Sequence, residues 1–527
     1  MVLGGMLCVP AGAAIPSAKH HRAHRVRPLK LQVAKLLADP AVSRSHWGIA
    51  VTKMDGTRIY ALHAGQFFHP ASNAKLFTTA AAVALLGSDA TVTTKVTAMA
   101  PPNKDGVLAL GGLRLMGAGD ANLSGRTIPY VPPALRPNPA PPEVDPLRYL
   151  EEMADQVAKT GLKVVQGDIV GDDSLFPWQP YPEDWSIDDA VWGYGAPVSA
   201  LTVEDNMLKV TVTAAAEAGA PATVAIEQAA PYYTIESSLT TTAANTMAAV
   251  GIDRSPGSKI VRVYGTVPAG MQPMTSHIAI DDPAEYVARA FKQMLEQRGI
   301  RVTGKARAEH RLPVDTASFV AEAQQPLTLP VTNQNTLPAC ANFCTTLAEH
   351  VSPRLIDDVV ATNKVSQNLH AELLLRRLGK AFADDGSAAQ GARVVRTFLT
   401  TMAGLDQDDF VFFDGSGLSG HDLVAPRATV QLLQYASTQP WFEEWKASLP
   451  VGGVDGTLAG RFTRAPLRGH VFAKTGTLGE ARALSGYLDC ASGRTVIFSI
   501  MVDNHAPHSR ADETTMDKIV AAIAATN

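Results

Sequence analysis

The stretch Pro70-Ala71-Ser72-Asn73-Ala74-Lys75-Leu76-Phe77-Thr78-Thr79-Ala80-Ala81-Ala82-Val83-Ala84-Leu85-Leu86-Gly87 decides the reading of this chain. A run this apolar, opened by Pro and Ser and stopped by Gly, predicts a helix over Asn73–Leu86. Ser72 and Lys75 stand three residues apart at its start and share one helix face. Lys75 can therefore meet the Ser72 hydroxyl and, when neutral, take its proton. Apolar neighbours such as Leu76 and Phe77 disfavour the charged amine. The positive end of the helix dipole favours a forming oxyanion. The plain alternative is an N-cap serine and a surface lysine, because Ser-x-x-Lys recurs by chance in long chains.

Working outward, Trp47–Lys53, Met54-Asp55-Gly56-Thr57 and Arg58–His63 read as strand, turn and strand, with Asp-Gly as the hairpin signal. From about Thr93 to Pro330 the character changes to Gly/Pro-rich turns and short alternating strands such as Leu208–Thr213 and Ile260–Val267. A Pro-dense connection (Pro132–Pro146) lies within it, read as a rigid surface loop against an interaction motif, and a charged helix, Asp282–Arg298, near its end. Helices return after Leu329 at Leu355–Val365, Asn368–Leu378 and Gly391–Met402. Strands Ala483–Asp489 and Thr495–Asp503 and a helix at Glu513–Ala525 close the chain. No internal period argues for a solenoid or propeller. The pattern predicts one α/β domain made from both ends, with an inserted region of one or two smaller domains.

The chain has 527 residues, enough for two to four domains. Its 46 Lys and Arg against 50 Asp and Glu leave a formal charge of −4, which gives no pull toward nucleic acid. No apolar stretch is long enough to predict a transmembrane helix. Met1–Val9 is apolar and Ala11-Gly12-Ala13 fits a cleavage site, so residues 1–18 read as a truncated secretory signal lacking its positive start; a frayed terminus is the alternative. The basic run Lys19–Arg27 reads as a solvated linker or as a loose tether to an anionic envelope surface. Cys8 would leave with the signal, and Cys490 stands alone in a predicted strand. Cys340 and Cys344 are close enough for a local disulfide, and they lack the second Cys/His pair that zinc needs, so no metal is expected.

Two further segments carry chemistry. Ser366-Gln367-Asn368 precedes a predicted helix; its hydroxyl can relay a proton, and its Asn amide can both donate to and accept from a peptide. The alternative is another N-cap. Lys474-Thr475-Gly476-Thr477 lies just ahead of two predicted strands. Lysine followed by hydroxyls suits a carboxylate, and Gly476 allows close backbone approach. The Thr477 N–H could pair with that of Ser72 as an oxyanion hole. A hairpin turn with a solvated lysine is the alternative.

In this order, Ser-x-x-Lys, Ser-x-Asn and Lys-Thr-Gly-Thr form the motif set of penicillin-binding proteins and related β-lactamases. The gap between the first two motifs is far longer than in compact β-lactamases. The sequence resembles the D-alanyl-D-alanine carboxypeptidase/endopeptidase family, the class C low-molecular-mass penicillin-binding proteins. Besides the motifs, the likeness includes Gly167–Ser174, Tyr194–Leu201, Asn363–Glu372, Asp414–Ser419 and Gly453–Leu458.

The resemblance implies a transpeptidase-like domain, a five-stranded sheet flanked by helices, from residues 19–98 and 325–527. An inserted domain would span 99–205 and 276–324, and a second, nested in it, 206–275, both mostly β. It implies that Ser72 attacks the carbonyl between two D-alanines of a peptidoglycan stem peptide, or a D-Ala cross-link, with Lys75 as base and Ser366 as proton relay. Asn368 would orient the substrate amide, and Lys474, Thr475, Gly476 and Thr477 would hold its carboxylate end. Water would release the acyl group with no metal or organic cofactor, and a β-lactam would trap Ser72. Such an enzyme works in the periplasm or otherwise outside the cytoplasm.

Asp189 and Tyr194 match positions where relatives hold the substrate's free amino end; a structural loop acid and a core aromatic are the alternative. Where the family often carries Arg and Asn, this chain has Gly420 and Asp422, which implies another group in that place or a different stem peptide. Two other functions compete. A serine β-lactamase needs a base to activate the deacylating water, and no motif identifies one. A non-catalytic peptidoglycan-binding protein would have no reason to keep all five polar motif residues. An esterase elbow is absent, since Gly415-Ser416-Gly417 reads as a turn.

Overall fold

The computed structural model describes Met1 and residues 28–139, 144–314, 318–329 and 345–527. The expected signal, the basic run, part of the Pro-dense loop and the Cys340–Cys344 pair lie outside the described residues. Both ends of the chain build one antiparallel five-stranded sheet. Its order is Val471–Leu478, Ala481–Asp489, Thr495–Asp503, His46–Lys53 and Arg58–Leu62. The first hairpin turns where Asp-Gly predicted: Gly56 takes φ +81°, and the Thr57 N–H donates to Asp55 Oδ1 at 2.8 Å.

Side chains alternate across this sheet, and each face has its own core. Trp47, Ile49, Val51, Phe498, Ile500 and Leu484 pack toward the helices Leu29–Leu37 and Ala511–Thr526. Ala50, Ile497, Met501, Ala483 and Tyr487 face the opposite layer, which includes Ala74–Leu86 and Pro426–Ala436. The Ala74–Leu86 helix is apolar all round because it is buried all round, only Ala84 being partly exposed. It is preceded by a single 3-10 turn, Ala71–Asn73, which carries Ser72, so the α-helix starts one residue later than predicted. Gly87 ends it at φ +90°.

The region between is β-rich. Its largest sheet is mixed, in the order Ala306–Arg311, Ile169–Pro177, Leu113–Met116, Thr93–Ala98 and Thr345–Val351. Three three-stranded sheets accompany it, one of them on Met207–Thr213 and one on Ile260–Pro268, both strands predicted from alternation. The predicted charged helix spans Pro283–Gln297, capped by Asp282, whose carboxylate takes the Glu285 N–H. Strands Thr93–Ala98 and Thr345–Val351 pair antiparallel, so the chain leaves and re-enters the half that holds the five-stranded antiparallel sheet side by side. Among the described residues no helix is long and apolar enough to cross a membrane.

Candidate active site

The 3-10 turn presents Ser72 at the mouth of a cleft, and Ala71 before it holds a left-handed φ of +45°. Two glycines make room for this turn. A Cβ on Gly417 would stand 1.8 Å from the Ala71 carbonyl oxygen, and one on Gly476 would stand 2.6 Å from that of Pro70. Asn73 donates from Nδ2 to the Lys474 carbonyl at 3.1 Å, tying the serine turn to the edge strand. Neither Ser72 nor Asn73 caps the following helix through its side chain, so the N-cap alternative fails here.

Lys75 is fully buried, and its ammonium donates to three neutral oxygens: Ser72 Oγ at 2.9 Å, Asn368 Oδ1 at 2.7 Å and the Ser416 carbonyl at 2.7 Å. Burial pulls its pKa down to about 8, against the charges of Asp414, Glu372 and Asp422. Behind the lysine, Asp414 organises the Ser416 loop by taking backbone N–H bonds from Ser416, Gly417, Leu418 and Ser419, and the Trp185 indole N–H at 2.9 Å. Burial and Asp414 push the Glu372 carboxyl up to about 8. They also raise Asp422 well above the ordinary carboxyl value. Asp422 Oδ1 accepts the Phe413 N–H at 2.7 Å. At Gly420 a Cβ would face Asp184 Oδ2 at 2.7 Å.

Ser366 sits between the helices Leu355–Lys364 and Asn368–Ala383 at φ +63°. The helix after it is capped by Gln367, whose Oε1 accepts from the Leu369 N–H at 3.2 Å, leaving the Ser366 hydroxyl free for other work. Lys474, also fully buried, donates to Ser366 Oγ at 2.8 Å and to the Thr475 carbonyl at 2.9 Å. Burial, and Lys75 nearby, hold its pKa well below the usual lysine range. Lys474–Thr477 is not the hairpin turn of the alternative reading but part of the edge strand Val471–Leu478. The Ala473 N–H reaches the Pro450 carbonyl and the Val471 carbonyl takes the Gly452 N–H. Odd-numbered residues therefore turn their backbone groups away from the sheet, and Thr475 and Thr477 continue that row along the cleft.

The inserted region forms the opposite wall. The Asn368 amide donates to the Tyr194 carbonyl at 2.9 Å, so its two ends are held by Tyr194 and Lys75. Tyr194 is 50% exposed, hence no core aromatic, and its hydroxyl donates to Asp189 Oδ1 at 2.8 Å. Burial and that acid raise the tyrosine pKa. Asp205 was not singled out by sequence reasoning. It accepts from Gln367 Nε2 at 3.0 Å, from His370 Nε2 at 3.0 Å and from Arg126. His370 is fully buried, with Nδ1 2.5 Å from Asp358; burial opposes its charge, but Asp358 and Asp205 carry its pKa up to about 9. The buried pair Lys364–Asp455 at 2.8 Å anchors the other side of Ser366.

The structure thus gathers Ser72, Lys75 and Asn368 into one hydrogen-bonded group, with Ser366 and Lys474 as a second pair tied to the serine turn through Asn73. Thr475, Gly476 and Thr477 lie along its edge, and Tyr194 with Asp189 across it. Among the described residues no group of three or more His, Cys, Asp or Glu is arranged to hold a metal ion.

Known proteins bear on this arrangement. The family model for D-Ala-D-Ala carboxypeptidase 3 (S13) matches residues 29–329 and 329–526. The D-alanyl-D-alanine carboxypeptidase of Actinomadura sp. (strain R39) is 33% identical over 494 residues, covering 92% of this chain and 82% of that one. The D-alanyl-D-alanine carboxypeptidase DacB of Haemophilus influenzae is 25% identical over 366 residues, 68% of this chain and 69% of its own. The crystal structure of penicillin binding protein 4 (dacB) from Haemophilus influenzae superposes with a TM-score of 0.75 at 22% identity, covering 93% of this chain and 98% of that one. With the family match running over both halves of the cleft, the chain belongs to the D-Ala-D-Ala carboxypeptidase 3 (S13) family and is a serine DD-peptidase.

Proposed function

We propose that Ser72 is the nucleophile that cleaves the peptide bond after the penultimate D-alanine of a peptidoglycan stem peptide, or the D-Ala cross-link between two stems. One observation carries this reading: Lys75 Nζ lies 2.9 Å from Ser72 Oγ, buried among neutral acceptors. The neutral amine takes the Ser72 proton as Oγ bonds to the carbonyl carbon. The N–H groups of Ser72 and Thr477 meet the oxyanion. Ser366, held by Lys474, passes a proton to the departing amine. Asn368 aligns the substrate amide, Lys474 with the edge of Thr475–Thr477 takes the leaving residue's carboxylate, and Asp189 and Tyr194 meet the free amino end. Water then hydrolyses the ester and regenerates Ser72.

A β-lactam presents the same carbonyl and carboxylate, so it acylates Ser72 and stays. Such a substrate places the enzyme in the periplasm or elsewhere in the cell envelope. The test is intact-protein mass after brief exposure to benzylpenicillin. A lasting adduct that is lost in Ser72→Ala supports the reading, as does D-alanine release from a pentapeptide. Rapid antibiotic loss with no adduct points to a β-lactamase; neither adduct nor turnover refutes the Ser72 mechanism.

A further inference from the structure

A cavity of about 360 Å³ opens beside the edge strand, on the face away from the Ala74–Leu86 helix. Thr475, Gly476 and Thr477 form one side, and Thr457 is joined to Thr475 through their hydroxyls at 2.7 Å. Three arginines, Arg461, Arg482 and Arg510, line it with a single acid, Glu513. Arg461 is held by Asp517 at 2.5 Å, and Arg482 by Asp512 at 2.5 Å and Glu513 at 3.3 Å. Arg510 contacts Glu513 at 2.6 Å, yet its side chain is 76% exposed, which leaves most of its donors open.

We propose that this cavity receives the second stem peptide of a cross-link, with Arg510 meeting one of that peptide's carboxylates. The inference rests on the reading above, in which Thr475 and Thr477 hold the leaving residue's carboxylate. A leaving D-alanine carries only a methyl group and ends there. The space beyond it equals roughly a dozen waters and falls in the size range of ligand sites. In a cross-link the leaving amine belongs to a residue that continues into a whole anionic peptide. That chain must exit past the same threonines, and the arginine-lined cavity lies at that point. Bond changes are those of the proposed hydrolysis: the amide C–N bond breaks, Ser72 Oγ and then water bond the carbonyl carbon, and Ser366 delivers the proton to the released side-chain amine.

The test compares two substrates on the full chain: a pentapeptide ending in D-Ala-D-Ala, and a cross-linked dimer of disaccharide tetrapeptides. Arg510→Gln removes the open cation. Gly460→Trp fills the mouth, where a Cβ meets nothing within 4 Å. Each should lower kcat/KM for the dimer roughly tenfold, the loss of one charge-assisted contact or of the space itself, while pentapeptide cleavage and benzylpenicillin acylation stay within about twofold. Dimer cleavage unchanged in both variants overturns the proposal, as does an equal fall on both substrates. Wild type that releases D-alanine but leaves the dimer intact overturns it while the Ser72 reading stands. Wild type that neither acylates nor releases D-alanine removes both.

Discussion

Lys75 and Lys364 are both buried lysines of the catalytic half, and their pockets differ in what the ammonium touches. Lys364 donates to both oxygens of Asp455, at 2.9 and 2.8 Å, and to the Leu449 carbonyl at 2.6 Å. Lys75 touches a hydroxyl, an amide oxygen and a carbonyl, and its nearest acids stand behind those groups. Burial lowers both pKa values, but at Lys364 the Asp455 carboxylate answers it directly. A lysine paired with a buried carboxylate is a strut. One surrounded by neutral acceptors gives up its proton near neutrality, which is what a general base requires.

Replacing each lysine by methionine separates these roles. Lys75→Met should slow acylation by benzylpenicillin on the order of 10³-fold, the scale of general-base catalysis, with the fold intact. Time-resolved intact mass and a thermal melt check both halves; acylation within tenfold of wild type would break the contrast. Lys364→Met leaves Asp455 buried and unpaired, so it should cost about 3–5 kcal/mol in urea unfolding. Equal stability losses in the two variants would show that both lysines are struts.

The pH dependence sharpens the same distinction. With Lys75 titrating at about 8, its reactive neutral fraction grows as pH rises. Acylation should therefore climb about tenfold per pH unit below that value and level off above it. A rate that is flat, or that falls as the pH approaches 8 from below, assigns the base elsewhere.

The residues proposed as nucleophile, base, relay and carboxylate grip were all legible as motifs, because chemistry needs particular residue types at short spacing. What surrounds them was not. Glu372 and Asp414 lie inside stretches that the resemblance already covered, yet nothing in the string says that two acids crowd one lysine. That follows only once the Asn368–Ala383 helix and the 414–419 loop share a pocket. Asp205 left no local signal, since its partners Gln367, His370 and Arg126 are distant in the chain. The strand at Lys474 was missed for a different reason. Val471–Leu478 mixes Lys, Thr and Gly into its alternation, and its edge position tolerates residues that a central strand would not. The inner strands, apolar over most of their length, were placed to within two residues.

The pairing of His46–Lys53 with Thr495–Asp503 also fixes a timetable. As the chain emerges in order of synthesis, the strand His46–Lys53 has only the short hairpin partner Arg58–Leu62, while its other neighbour, Thr495–Asp503, is made only after the whole β-rich region between. The helix behind Ser72 must wait for the layer that buries it, and loop closure over so long a span is slow. Hydrolytic competence is therefore a late event in the life of the molecule. A chain cut short between Lys474 and Thr495 would carry Ser72, Lys75 and Lys474 yet lack the completed sheet that holds them in reach of one another.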